Sequence, residues 1–191
     1  LSSIADVDAA AAGRTVPREF LTLVRANPGS PALHSMRNDG GWNAWTLQEF
    51  ADQVAGAAAG LAGAGVGAGE RVLLMMRNRP DFHWFDAAAQ FLRATPVSIY
   101  NSSSPEEIQY LAGHAEARVA IVEDAGFLER ILKVRSELPA LERVYVLEPP
   151  EGPLPDDVFA AAELFASGAA DLEALAVATD PGDTATLIYT S

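Results

Sequence analysis

Thr190 and Ser191 end the chain, directly behind the run Asp183-Thr184-Ala185-Thr186-Leu187-Ile188-Tyr189. Ala185 to Tyr189 is apolar or β-branched and is set off by Pro181-Gly182, a pattern that predicts a buried strand. Two hydroxyl side chains at the carboxyl end of such a strand offer hydrogen bonds to a ligand. In open α/β sheets that is the end where ligands sit. A polar strand terminus with no ligand is the plain alternative, and spacing alone does not separate the two. Because nothing follows to cover the strand end, the sequence is expected to be a piece of something longer.

Other residues with chemical potential fare less well. Ser102-Ser103-Ser104 follows Tyr100-Asn101, another strand end, so it could face a ligand. A helix cap with a polar linker explains it more simply. The stretch Gly63-Ala64-Gly65-Val66-Gly67-Ala68-Gly69 invites a dinucleotide reading. That fingerprint must follow a strand and open a helix, so that the pyrophosphate meets the helix N-terminus. Here it follows a helix and enters a strand, which predicts a helix C-cap and turn. His34, His83 and His114 lack the neighbours of a metal site. His114 falls at a helix end, where the dipole favours it with or without chemistry. There is no cysteine, which excludes disulfides, thiolate catalysis and Cys-ligated zinc. A nucleophile elbow of the G-x-S-x-G kind is absent as well.

The elements that must position these residues are well marked. Leu1 to Gly13 is small, polar and aperiodic, so residues 1–14 are read as a loose N-terminal segment. Thr15 caps a helix with Pro17 in its first turn and a stripe of Phe20, Leu21 and Val24. Asn38-Asp39-Gly40-Gly41 between Ala32–Met36 and Trp42–Trp45 signals a hairpin. Thr46 and Glu49 form a capping box ahead of Leu47, Phe50, Val54, Ala57, Ala58 and Leu61. Arg71–Met76 reads as a strand, and Pro80 opens the next helix. Thr95–Tyr100 is a strand, and Ser104-Pro105-Glu106-Glu107 caps another helix. Arg118–Val122 is a strand, Asp124 caps a helix, and Arg143–Leu147 is a strand. Asp156 is expected to open a short helix and Asp171 a second one. This alternation, with crossovers long enough for parallel pairing, predicts a doubly wound, mostly parallel α/β sheet with helices on both faces, preceded by a helix and a hairpin.

The chain has 191 residues, 49% of them hydrophobic, enough for a real core. Its net charge is −13, with 13 basic residues of which only Lys133 is a lysine. That balance argues against nucleic acid and against binding an anionic membrane by charge. It does not exclude a small anionic ligand held by a helix N-terminus or a glycine loop. No apolar run reaches the ~20 residues of a membrane span, and the start has no signal pattern, so a cytoplasmic location is expected.

Pro181-x-Asp183-x-Ala185-x-x-x-Tyr189-Thr190-Ser191 resembles the approach to the phosphate-binding loop of the adenylate-forming enzymes. Trp45-Thr46-x-x-Glu49-Phe50 to Gly69-Glu70-Arg71-Val72 is similar to the family's opening helix, turn and strand. Asn78-Arg79-Pro80 with Pro96-Val97-Ser98-Ile99-Tyr100 is similar to its next helix and strand. Ser103-Ser104-Pro105-Glu106-Glu107-Ile108 to Ala117-Arg118 resembles the long-chain fatty acyl-CoA synthetase branch. Arg93 departs from the pattern, standing where the family usually has glycine. The resemblance implies the N-terminal α/β subdomain of an AMP-binding domain over residues 15–191, truncated at the start of the phosphate loop. It implies that fatty acid, ATP and CoA become acyl-CoA, AMP and pyrophosphate through acyl-AMP, with Mg²⁺ assisting in the full-length enzyme. Thr190 and Ser191 would then contact ATP phosphates. No catalytic residue would lie within the chain, and the piece alone would be inactive. An aryl or amino-acid adenylating enzyme and a non-enzymatic Rossmann-like binding domain remain the alternatives.

Overall fold

The computed structural model describes residues 3–37 and 39–189. Helix α1 (Ile4–Ala11) is closed at its start by a Ser3/Asp6 capping box. It replaces the aperiodic reading of this segment. None of its residues is buried, and so it has no apolar stripe by which to announce itself. Helix α2 (Val16–Ala26) follows its expected course, with Thr15 as cap and Leu21 and Val24 inward. Strands β1 (Pro31–Met36) and β2 (Trp42–Thr46) pair antiparallel as a two-stranded sheet of their own.

Helix α3 (Leu47–Gly63) begins in the Thr46/Glu49 capping box. Its Gly60 lies where an added Cβ would stand 2.1 Å from the Leu164 carbonyl oxygen. Glycine inside a helix costs roughly 1 kcal/mol relative to alanine; here it admits a 3₁₀ segment, Ala161–Ser167, against the helix backbone.

The remaining elements build the main sheet: β3 (Arg71–Met75), α4 (Pro80–Phe91), β4 (Thr95–Ser98), α5 (Pro105–His114), β5 (Val119–Asp124), α6 (Ala125–Val134), β6 (Arg143–Glu148), β7 (Val158–Ala160), α7 (Leu172–Ala178) and β8 (Leu187–Ile188). All six strands run parallel in the order β7-β6-β5-β3-β4-β8. Chain direction across the sheet reverses at β3, since β4 lies on one side of it and β5 on the other. The crevice outside the carboxyl ends of β3 and β5 is therefore the topological switch point.

Side chains alternate between the two faces, as strand geometry requires. Val72, Leu74, Ile121 and Tyr145 join the layer made with α2, α3, α4 and α7. Leu73, Met75, Val97, Ala120, Val122 and Val144 join the layer made with α5 and α6. Both faces are covered, which is why β3 and β5 read as continuous apolar runs.

Two expectations are corrected. Residues 158–160 form β7 rather than a helix opened by Asp156; Val158 and Phe159 pair with β6, and the helical turns start after them. The final strand is not buried. Only Leu187–Ile188 is strand, with Leu187 half-buried and Ile188 76% exposed. Among the described residues it pairs with β4 alone, Leu187 opposite Val97 and Ile188 opposite Ser98.

Candidate functional site

The carboxyl ends of β8 and β4 meet the carboxyl-terminal half of α5. Tyr189, the residue after β8, brings its hydroxyl to 2.8 Å from His114 Nδ1 at the end of α5. The two rings meet edge to face, and Tyr110, one turn earlier on α5, stacks against His114. Burial, and then the nearby Tyr110 hydroxyl, raise the Tyr189 phenol above its ordinary value. Tyr100, two residues past β4, and Tyr110 are largely exposed beside them, so this edge carries a cluster of aromatic surface. Thr190 and Ser191 follow immediately in the sequence and lie outside the described residues. Ser103 is buried and Ser104 caps α5, so the serine run is a helix cap.

The amino side of β8 is held by the turn 180–183. The Asp183 carboxylate accepts the Asp180 N–H at 2.8 Å and two bonds from Arg93, Nε and Nη2, each at 2.9 Å. The Arg93 guanidinium, with the Asp180 N–H, holds the Asp183 carboxyl below its usual range. Arg93 itself adopts φ 59°, in the left-handed region. The position thus requires a positive φ, which is the physical content of its departure from glycine.

At the switch point, Glu123 is buried and accepts from the Arg77 backbone N–H at 2.6 Å and from Arg77 Nη1 at 2.7 Å. Asp124 caps α6 and takes a further bond from Arg77. Burial pushes the Asp124 carboxyl up, but Arg77 and the N–H groups of Phe127 and Gly126 outweigh it and leave it lowered. Arg79 bridges Asp81, at 2.7 Å, and Glu148, at 2.8 Å. Between this network and the hairpin lies a cleft of roughly 790 Å³, lined by His34, Asn43, Trp45, Asn78, Arg79 and Glu148 among others. His83 lines it too, whereas His114 belongs to the β8 edge.

Every carboxylate of this network has an arginine partner, and of the three histidines His34 and His83 share the cleft while His114 lies at β8. Among the described residues no group of His, Asp and Glu could hold a metal ion, and no helix is long and apolar enough to cross a membrane. Near the carboxyl ends of β4 and β8 the arrangement gathers aromatic rings, Tyr110, His114 and Tyr189. Sequence reasoning missed the His114–Tyr189 and Arg93–Asp183 contacts. The first joins residues 75 apart and the second residues 90 apart, and neither leaves a local signal.

Known proteins share this architecture. A solved long-chain-fatty-acid-CoA ligase (FadD1) from Archaeoglobus fulgidus superposes with a TM-score of 0.72 at 20% identity, covering 91% of this chain and 34% of that one. The anthranilate CoA ligase AuaEII, solved with anthranoyl-AMP, gives a TM-score of 0.63 at 25% identity over 70% of this chain and 25% of its own. In sequence, the long-chain-fatty-acid–CoA ligase FadD15 of Mycobacterium bovis (strain ATCC BAA-935 / AF2122/97) is 34% identical over 154 residues, 80% of this chain and 25% of the relative. The chain spans 57% of the length of some curated relatives it matches and about a quarter of others. A family model described as AMP-binding enzyme matches residues 20–191. The chain belongs to the AMP-binding enzyme family.

Proposed function

We propose that the chain is the N-terminal α/β subdomain, over residues 15–191, of a cytoplasmic long-chain fatty acyl-CoA ligase. The observation that supports this reading is the placement of β8 beside β4 in an all-parallel sheet, which puts Tyr189 at the carboxyl end of a strand, the end where ligands sit in open α/β sheets. The first half-reaction joins a fatty carboxylate oxygen to the α-phosphorus of ATP and breaks the bond to pyrophosphate. In the second, the CoA sulfur attacks the acyl carbon of acyl-AMP, AMP leaves, and the thiol proton passes to solvent. The role of this chain is scaffold plus the first donors to the ATP phosphates, the hydroxyls of Thr190 and Ser191 and their N–H groups.

Mg²⁺ finds no ligand set among the described residues, because Glu123, Asp124 and Glu148 are each held by arginine. No step is derived through it. Groups that complete the reaction belong to other parts of the ligase, so the 191-residue chain alone is inactive in this reading.

Acid-dependent ATP–pyrophosphate exchange tests it, run on the full-length protein and on the isolated chain with a panel of fatty and aromatic acids. Exchange by the full-length protein with fatty acids, and none by the isolated chain, is the expected result. Preference for aromatic acids would favour an aryl-CoA ligase, a reading supported by the 25% identity to the anthranilate enzyme. Exchange with no acid would leave a non-enzymatic binding domain.

A further inference from the structure

Gln90 lies near the end of α4, four residues after Asp86, and its Nε2 donates to Asp86 Oδ2 at 2.9 Å. An ionised carboxylate only accepts, so this bond fixes which end of the amide is nitrogen and which is oxygen. The oxygen, Oε1, is buried and has no hydrogen-bond partner among the described residues. Leaving a buried acceptor unsatisfied is costly, and folded proteins pair the great majority of such groups.

Gln90 lines a pocket of roughly 150 Å³ at the amino end of β4, walled by the start of α2, the end of α4 and the turn that follows α7. The hydroxyl donors of this wall are engaged elsewhere. Thr179 gives its hydroxyl hydrogen to the Ala176 carbonyl at 2.7 Å, so in its 2.8 Å contact with Thr15 it accepts and Thr15 donates. Arg93 turns Nε and Nη2 to Asp183, and Arg14 turns Nη2 to Glu19. A guanidinium carries five N–H groups, so both arginines keep donors beyond these pairs. Arg14 and Arg93 offset Asp180 and Asp183 in the wall, which therefore has no net formal charge.

We infer that this pocket binds a small neutral molecule of the alkanediol class. One hydroxyl hydrogen goes to Gln90 Oε1, a hydroxyl oxygen accepts from Arg14 or Arg93, and the alkyl end lies against Pro17 and Ala94, both buried. A volume of this size holds about six heavy atoms. An anion would have to compete with Glu19 and Asp183 for the two guanidinium groups, whereas a neutral diol leaves both pairs in place. The site lies at the end of the sheet opposite the carboxyl ends of the strands, and it does not rest on the ligase reading.

The test titrates 1,2-butanediol into the full-length protein and follows the ligand by saturation-transfer NMR, with butyrate, an anion of the same heavy-atom count, as the comparison. Saturable binding of the diol, tighter than that of butyrate, is the expected result. Gln90→Leu keeps the bulk of the side chain and removes the acceptor, and should weaken the diol about 5-fold, the usual net contribution of one hydrogen bond. Ala185→Phe is the second variant. Ala185 lines the pocket and is exposed, so the substitution spares the core while closing the mouth, and saturable binding should be lost. The inference is overturned if the wild-type protein shows no saturable binding of the diol, or if butyrate binds more tightly. Equal affinity for the diol in wild type and Gln90→Leu overturns it too; should that variant fail to fold, full binding by Ala185→Phe does so in its place.

Discussion

At the amino ends of β3, β4 and β5 the chain enters each strand from the same helix terminus. Helices α3, α4 and α5 each close with two backbone bonds around a left-handed residue: Gly65 at φ 88°, Arg93 at φ 59° and Glu116 at φ 49°. Arg118 donates to the Gly65 carbonyl, and Arg71 to the carbonyls of Ala115 and Glu116, so the last turns of α3 and α5 receive cations where the dipole wants them. The two charged residues in glycine's place each have an ion partner, Asp183 for Arg93 and Arg71 for Glu116. The carboxyl ends are built differently. There the carboxylates are tied to Arg77 and Arg79 of the loop between β3 and α4, a cleft stays open at the switch point, and Tyr100, Tyr110 and Ile188 are exposed. One end closes helices and sets register; the other leaves a cleft and exposed aromatic surface among the described residues. Under the proposed function, stability and ligand binding divide along the strand direction, as in open α/β sheets generally.

The division is tested most severely at Thr190. In the full-length enzyme Thr190→Val should lower kcat for adenylation by ~10²–10³, the usual loss for one donor at developing charge, without changing the melting temperature. Exchange kinetics equal to wild type would reduce Thr190 to a strand terminus.

At the opposite end, Gly65→Val should cost stability and leave the KM for ATP alone. A β-branched residue at positive φ loses on the order of 2–3 kcal/mol, and the Arg118 guanidinium stands 3.2 Å from the added Cβ. Urea unfolding measures it. Glu116→Gly sharpens the point in the other direction: relief of φ exceeds the exposed Arg71 pair, so the variant should be as stable as wild type or more so by ~0.5–1 kcal/mol.

Glu123→Gln crosses the boundary. Glu123 lies at the ligand end but is buried and serves the Arg77 network. Loss of its charge should cost ~1–2 kcal/mol and little activity. A large rise in the KM for ATP at unchanged stability would move Glu123 into the ligand site and break the comparison.

The smallest effect is a pH slope. Asp183 and Asp124 are both held below their usual range. A depressed carboxyl contributes stability that is present above its unfolded value near pH 4 and is lost as pH falls through the folded value. Melting temperature should therefore decline below about pH 4, and less steeply in Asp183→Asn. An identical slope in that variant would show the Arg93 pair to be electrostatically idle.

Much of this was legible because it is local. The Thr46/Glu49 and Ser104/Glu107 boxes satisfy N–H groups three residues away, so the residues that start α3 and α5 are adjacent in sequence. Gly65 ends α3 for an equally local reason. Alternating strand and helix patterns implied a parallel sheet. The segment 158–160 misled because a three-residue strand beside 3₁₀ turns carries no period of its own. Only the tertiary structure decided the strand order. The sequence order of the strands does not say that β8 lies beside β4 rather than beside β7, because parallel pairing is set by the crossovers. The same holds for the pairs Arg93–Asp183 and His114–Tyr189: their partners lie far apart in sequence, and the crossovers that bring β8 beside β4 and over the end of α5 make them neighbours.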